Sequence, residues 1–275
     1  MKKAINAWTV PGWVSFEEMF ASVSAAGFDG IELNLDREGA SAHSLTFSSS
    51  QADYDKINAL ARQHNLPVCS ISTSLYANTL GSDVPAEVEN AKNVLRKQLE
   101  CAAALGADGI LVVPGGIGDN RSVQRAFANS KQTLLELVPE IVQAKIMVGL
   151  ENVWNGFFAS PFDMARFIDD LNCPYIAAYF DVGNVAINAY PEYWIEILGK
   201  RICKIHVKDF RRPSMNSGAF VNLLEGSIRW DLVVRSLRSA GYDGYLTAEL
   251  ADMPKTPEYL YRITSDALDI ICNLQ

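Results

Sequence analysis

Residues 104–112 read ALGADGILV, and the same grammar returns at 25–33 (AAGFDGIEL) and at 239–250 (SAGYDGYLTAEL). In each copy a run of small residues leads into a glycine, then an Asp-Gly turn, then an apolar run. A glycine just past a helix supplies the left-handed cap that ends it. Each copy therefore reads as the seam between one helix and the strand that follows. The seams centre on Gly27, Gly106 and Gly241. At about 34–40 residues per strand–helix unit they lie two and four units apart, and the whole chain holds about eight units, the size of a (β/α)8 barrel.

The rest of the chain fills that count. Short apolar runs predict strands near 3–9, 30–35, 67–73, 109–113, 145–151, 175–181, 202–208 and 244–250. Between them, Ser15-x-x-Glu18 forms a capping box, Ser160-Pro161-x-Asp163 opens another helix, and Pro85 and Glu87 open a long helix ending near Leu105. Strands alternating with helices imply a parallel sheet. A doubly wound open sheet is the competing arrangement, and the strand ends decide for the barrel. There is no linker or low-complexity stretch, so residues 1–275 are expected to form one barrel domain. The loosest connection is 211–227, RRPSMNSGAFVNLLEGS, expected to be a long rim loop.

Composition excludes several classes. With 49% hydrophobic and 20% charged residues, the chain can bury a sizeable core. A net charge of −8 argues against nucleic acid or an anionic membrane as partner. His43, His64 and His206 are the only histidines, too few for a multinuclear imidazole site. Cys69, Cys101, Cys173, Cys203 and Cys272 form no CxxC pair and read as thiols of a reducing compartment. No apolar run approaches a membrane span, and polar residues interrupt the first segment, so a cytoplasmic protein is expected.

Four consecutive predicted strands carry a metal-type side chain at the same end. GLEN ends in Glu151, FDVGN begins its turn at Asp181, IHVKD carries His206, and LTAEL carries Glu249. Singly, each is an ordinary capping acid or partly buried histidine. Jointly, three carboxylates and an imidazole converge on one face of a closed barrel, where they repel unless a cation joins them. Three oxygens and one nitrogen favour one Mn²⁺ or Mg²⁺ ion, with Co²⁺ and Zn²⁺ also compatible.

These segments resemble the metal-site motifs of the sugar isomerase/epimerase superfamily, built on the xylose-isomerase-like barrel. The closing stretch, residues 220–250, resembles bacterial L-ribulose- and L-xylulose-5-phosphate 3-epimerases and hexulose-6-phosphate isomerase-like proteins. The resemblance implies that Glu151, Asp181, His206 and Glu249 ligate the metal and that Glu151 and Glu249 are the acid/base pair. Epimerisation beside a ketone needs a base on each face of a planar cis-enediolate, and two carboxylates from strands three apart in the ring suit that. It also implies a substrate: free-ketohexose epimerases carry His where this chain has Asn184, whereas phosphopentulose epimerases carry Asn. The expected function is a divalent-metal-dependent ketose or ketose-phosphate 3-epimerase. Aldose–ketose or hydroxypyruvate-type isomerisation and inosose processing are alternatives on the same site. An AP-endonuclease-like repair enzyme would need more histidines and a basic face, and a non-catalytic sugar sensor would have lost a ligand.

Other residues are assigned by position. Asn6, Trp8 and Glu32 at the first two strand ends, Asn184, and Lys208, Arg211 and Arg212 beyond His206 are expected to contact a small sugar or sugar phosphate. The two arginines, with Ser214, Asn216 and Ser217, suit a distal phosphate. Ser72, Thr73 and Ser74 serve as hydroxyl partners or turn caps. Trp154, Phe157 and Phe158 are expected either to shield the site from water or to form a contact in a homodimer or homotetramer.

Overall fold

The three Asp-Gly seams work as the sequence indicates: Gly27, Gly106 and Gly241 all take positive φ, at 87°, 71° and 82°. The chain leaves each helix through these left-handed residues and turns at once into a strand. The computed structural model describes residues 1–118, 120–213 and 218–275. In it, β1 (Lys2–Asn6), β2 (Gly30–Asn34), β3 (Val68–Ser72), β4 (Gly109–Val112), β5 (Met147–Glu151), β6 (Ile176–Asp181), β7 (Ile202–Val207) and β10 (Tyr245–Ala248) close a parallel barrel. The strand order around it is β1-β10-β7-β6-β5-β4-β3-β2.

Helices α1 (Phe16–Ala25), α2 (Gln51–Gln63), α3 (Pro85–Leu105), α4 (Val123–Ala144), α5 (Pro161–Leu171), α6 (Val182–Ala186), α7 (Pro191–Leu198), α8 (Trp230–Ser239) and α9 (Pro257–Asn273) connect the strands. The caps lie where the sequence sets them: Ser15 and Glu18 form a reciprocal box, and Ser160 accepts from the Asp163 amide ahead of Pro161. Apolar faces of the helices pack on the outside of the strands, with Phe20, Leu95, Leu134, Phe167, Leu237 and Leu268 fully or almost fully buried there.

Side chains fill the inside of the barrel. At its lower end Lys204 reaches across to the Cys69 carbonyl (2.8 Å) and Asp108 (2.6 Å). Higher up, Tyr179 lies across Gly149 of the neighbouring strand, where a Cβ would stand 2.8 Å from the Tyr179 Cβ. Glycine in β5 thus makes the room that a tyrosine in β6 occupies.

Two expectations are corrected. The first strand stops at Asn6 rather than running to residue 9, because the Asn6 side chain accepts from the Trp8 amide and caps a short 3₁₀ turn over Ala7–Thr9. The 211–227 connection is not a plain loop: β8 (Asp209–Arg211) and β9 (Ala219–Val221) pair as an antiparallel hairpin on the rim. Ser214, Asn216 and Ser217 lie outside the described residues. All five cysteines are free thiols, and Cys69, Cys101 and Cys173 are buried. Among the described residues no helix is long and apolar enough to cross a membrane.

Candidate metal centre

Parallel strands in a closed barrel all finish on one face, so the residues at the ends of β5, β6, β7 and β10 meet. Glu151 closes β5 and Asp181 closes β6, while His206 is the penultimate residue of β7. Glu249 lies one residue past β10, yet its amide still donates to the Val207 carbonyl at 3.1 Å and keeps it in register. One ligand atom from each of these four residues lies within 4.8 Å of the others. His206 Nδ1 is 3.4 Å from Glu151 Oε1, 3.8 Å from Glu249 Oε2 and 4.0 Å from Asp181 Oδ2. Such separations suit atoms arranged around a single ion with bonds of about 2.0–2.3 Å.

The donor set fits a divalent cation on a second ground. Asp181 is fully buried and its Oδ2 accepts no well-directed hydrogen bond, although the Lys208 ammonium stands 2.8 Å away. Its other oxygen accepts from the Asn184 amide at 2.7 Å, which aims Oδ2 at the cluster. Asn152 fixes the Asp181 backbone from both sides, accepting from its N–H (2.8 Å) and donating to its carbonyl (2.9 Å). A buried carboxylate oxygen held this rigidly and left without a directed donor is what a cation would complete.

Behind the cluster lies a second set of polar groups. His206 Nε2 is 2.5 Å from Glu32 Oε1, a carboxylate reaching across the barrel from β2. Glu32 also accepts from Asn6 (2.6 Å), Tyr179 (2.5 Å) and Ser70. Burial opposes charge on Glu32, but the facing His206 and these donors outweigh it and hold the carboxyl down at about 2. An anionic Glu32 keeps the proton of the His206 ring on Nε2 and turns Nδ1 toward the other three residues. Burial likewise opposes charge on His206, yet Glu32 and Glu249 raise its pKa well above the usual imidazole value. Glu151, unlike Glu32, is raised: burial lifts it to about 7, only partly offset by His206, with Glu249 and Asp181 adding repulsion. Glu249 is only half-buried; its desolvation opposes charge, but Lys208 and His206 pull it below the usual carboxyl value. The two glutamates are thus driven apart in acidity.

The remaining sequence expectations divide. Trp8, Lys208 and Glu249 line one cavity of about 530 Å³ on the strand-end face, together with Phe220, Glu225 and Asp252. Trp8 is also tethered by its indole N–H to Asp36 at 3.2 Å. Asn184 and Asn152 line a smaller cavity of about 230 Å³ with Trp154, and Asn184 Oδ1 has no hydrogen-bond partner. Glu32 and Asn6 line neither of these two cavities. Both are 0% exposed and bonded to each other, and Glu32 meets His206 from within the barrel.

Arg211 and Arg212 turn away from the cluster. Arg211 donates to the Glu225 carbonyl, and Arg212 stacks on Tyr190 at 4.2 Å and donates to the carbonyls of Ala186 and Ala189. Pairing of β8 with β9 sets those directions, and residue order alone does not. Phe157 and Phe158 neither cover the cluster nor await a neighbour: they pack with Phe127 and Phe167, with centroids of Phe127 and Phe157 4.5 Å apart. Only Trp154 of that segment stays open, 71% exposed. Thr73 caps its turn by accepting from the Leu75 amide at 3.1 Å and ties it to the end of β2 by donating to the Leu35 carbonyl.

Sequence reading missed Tyr179, Ser70 and Asn152. Tyr179 carried a usable signal. It stands two residues before Asp181 on the same strand, and period-two alternation puts both on the inner face. Ser70 relates to Ser72 in the same way, whereas the Asn152 clamp depends on how β5 and β6 end and has no such marker.

The family described as xylose isomerase-like TIM barrels matches residues 20–270. The chain belongs to that family. Solved structures of the same architecture include a D-tagatose 3-epimerase-like protein, 20% identical, with TM-score 0.79 and 98% of each chain covered. The D-psicose 3-epimerase of Clostridium cellulolyticum H10, solved with D-tagatose, is 16% identical with TM-score 0.78, covering 100% of this chain and 99% of that one. The IOLI protein, solved with a zinc atom, is 14% identical with TM-score 0.82, covering 99% and 98%. At these identities the likeness concerns the barrel. No curated protein sequence matches the chain.

Proposed function

We propose that this barrel is a divalent-metal-dependent sugar epimerase, acting on a ketose at C3, with Glu151, Asp181, His206 and Glu249 as the ligands. The observation that carries the reading is the meeting of these four side chains, ligand atoms within 4.8 Å, at the ends of β5, β6, β7 and β10. A divalent ion bound there supplies Lewis-acid stabilisation of the charge that develops on the substrate's oxygens. The chain's own residues do the rest. Glu151, with its pKa lifted to about 7 by burial in the absence of an ion, and Glu249, held lower by Lys208, are the two proton-transfer groups. They come from strands three apart in the ring and flank His206. Asp181 and His206 hold the ion, and Glu32 orients His206. The sugar lies in the 530 Å³ cavity over Glu249, with Trp8 and Phe220 as its apolar walls. Solved relatives of this architecture include proteins named for ketose epimerisation, which supports the same chemistry.

The cavity favours a free sugar over a phosphosugar. Its charged lining is Glu225, Glu249, Asp252 and Lys208, and both arginines of the rim point elsewhere. With Glu249 given to the ion, Glu225 and Asp252 face Lys208 alone in the open part of the cavity, and this lining offers a dianionic phosphate no arginine. The test is a panel of ketopentoses, ketohexoses and their phosphates incubated in D₂O with the Mn²⁺-loaded protein. Deuterium is expected at C3 of a free ketose. Deuterium at C1 or C2 alone would make the enzyme an aldose–ketose isomerase, and no exchange with any sugar would overturn the proposal.

A further inference from the structure

Lys208 has a built position at the centre. Its ammonium donates to Glu249 Oε2 and lies 2.8 Å from Asp181 Oδ2. Those are the same two oxygens that face His206 Nδ1 across the cluster. The stem is laid down with equal care: it crosses Gly183, where a Cβ would stand 2.3 Å from Lys208 Cγ and 2.7 Å from the Lys208 carbonyl oxygen. Glycine in α6 is what lets the lysine approach. On its outer side the ammonium is 5.5 Å from the centre of the Phe220 ring, and the cavity there is lined by Glu225 and Asp252.

We propose that Lys208 is a displaceable internal cation: its ammonium neutralises Asp181 and Glu249, and a divalent ion must drive it off these oxygens to bind. The inference rests on the metal reading above. Two cations sharing oxygens at hydrogen-bond distance repel strongly in a buried site, so the ammonium and the ion compete. The displaced ammonium has a receiving surface at hand in the Phe220 ring and the Glu225 and Asp252 carboxylates, which face the sugar cavity. Metal binding therefore moves a hydrogen-bond donor from the ligand cluster into the cavity. Lys208 is a positioning residue for the ion, and its effect on metal affinity has a definite sign. A lysine that merely supported the ligands would strengthen metal binding, whereas a competitor weakens it.

The experiment is calorimetric titration of Mn²⁺ into the chelator-stripped full-length protein and its Lys208→Met variant, with circular dichroism to check the fold. Removing the competitor is expected to tighten binding by at least about tenfold, equivalent to about 1.4 kcal/mol. Equal or weaker binding in a folded variant overturns the inference and leaves the metal site standing. If neither protein binds Mn²⁺, Co²⁺ or Zn²⁺, the metal reading fails and takes this inference with it. A second measurement needs no variant. Acylation of Lys208 in the wild-type protein, followed by peptide mass spectrometry, is expected to run at least about tenfold faster with Mn²⁺ than with chelator, since an ammonium freed into the cavity is exposed to reagent. Unchanged labelling overturns the displacement.

Discussion

In the proposed mechanism Glu151 and Glu249 each combine a ligand position with a proton-transfer position, so a substitution that preserves shape separates charge from packing. Glu151→Gln and Glu249→Gln are each expected to lower kcat by at least about 10²–10⁴-fold, the range for losing general acid–base help. Steady-state epimerisation checks this, and near-normal turnover in either variant would exclude the two-base scheme. Glu32 makes a different prediction. It meets His206 Nε2 from inside the barrel and is itself 0% exposed, so Glu32→Gln is expected to weaken Mn²⁺ binding by about 10–100-fold. KM for the sugar at saturating metal should move little, and calorimetry beside kinetics distinguishes the two. The meeting of Glu151, Asp181, His206 and Glu249 was legible because parallel strands of a barrel must end together. Glu32 was legible as an acid at a strand end, but its direction was not. Whether it looked up at a ligand or across at His206 depended on the reach from β2 to β7, three strands away around the ring.

The rim hairpin shows the same boundary one level up. Its strands are three residues each, too short to announce themselves against a background of serine, asparagine and glycine. What holds it is Asp209, 1% exposed, which accepts from the amides of Phe210 (2.8 Å), Leu224 (3.1 Å) and Ile228 (3.3 Å) and from the indole of Trp230 (2.9 Å). The acid therefore ties the strand end to α8 and to the segment that carries Phe220 over the cavity. Asp209→Ala strands four donors and is expected to cost about 2–4 kcal/mol of stability in urea unfolding. Because Phe220 and Glu225 lose their anchor, KM should rise with metal affinity unchanged. The long regular elements were readable from caps and periodicity, as Pro85–Leu105 shows. The hairpin depends on one aspartate collecting donors far along the chain, which no local pattern encodes. The directions of Arg211 and Arg212 follow from the hairpin and were lost with it.

For the whole molecule, the proposed metal centre is also a point of linkage between folding, protons and the ion. In the protein without its ion, burial holds the Glu151 pKa at about 7 against an ordinary 4.5. A raised carboxyl pKa means that the folded state binds a proton the unfolded chain has released. That stabilisation is full below about 4.5 and is lost as pH rises through about 7. The divalent ion requires the opposite state: Glu151 ionised and His206 Nδ1 free of its proton. Metal binding therefore expels protons at low pH, and the melting-temperature rise produced by saturating Mn²⁺ is expected to grow from pH 6 to pH 8, with the Glu151 share of the slope greatest at the acid end and fading as pH passes about 7. Differential scanning calorimetry with and without chelator checks this at each pH. Glu151→Gln cannot ionise, so the variant should lose much of the slope and keep the part owed to His206. A wild-type increment that stayed flat across this range would mean that the ion displaces no proton from Glu151 or from His206, and the proposed ligand set would fail.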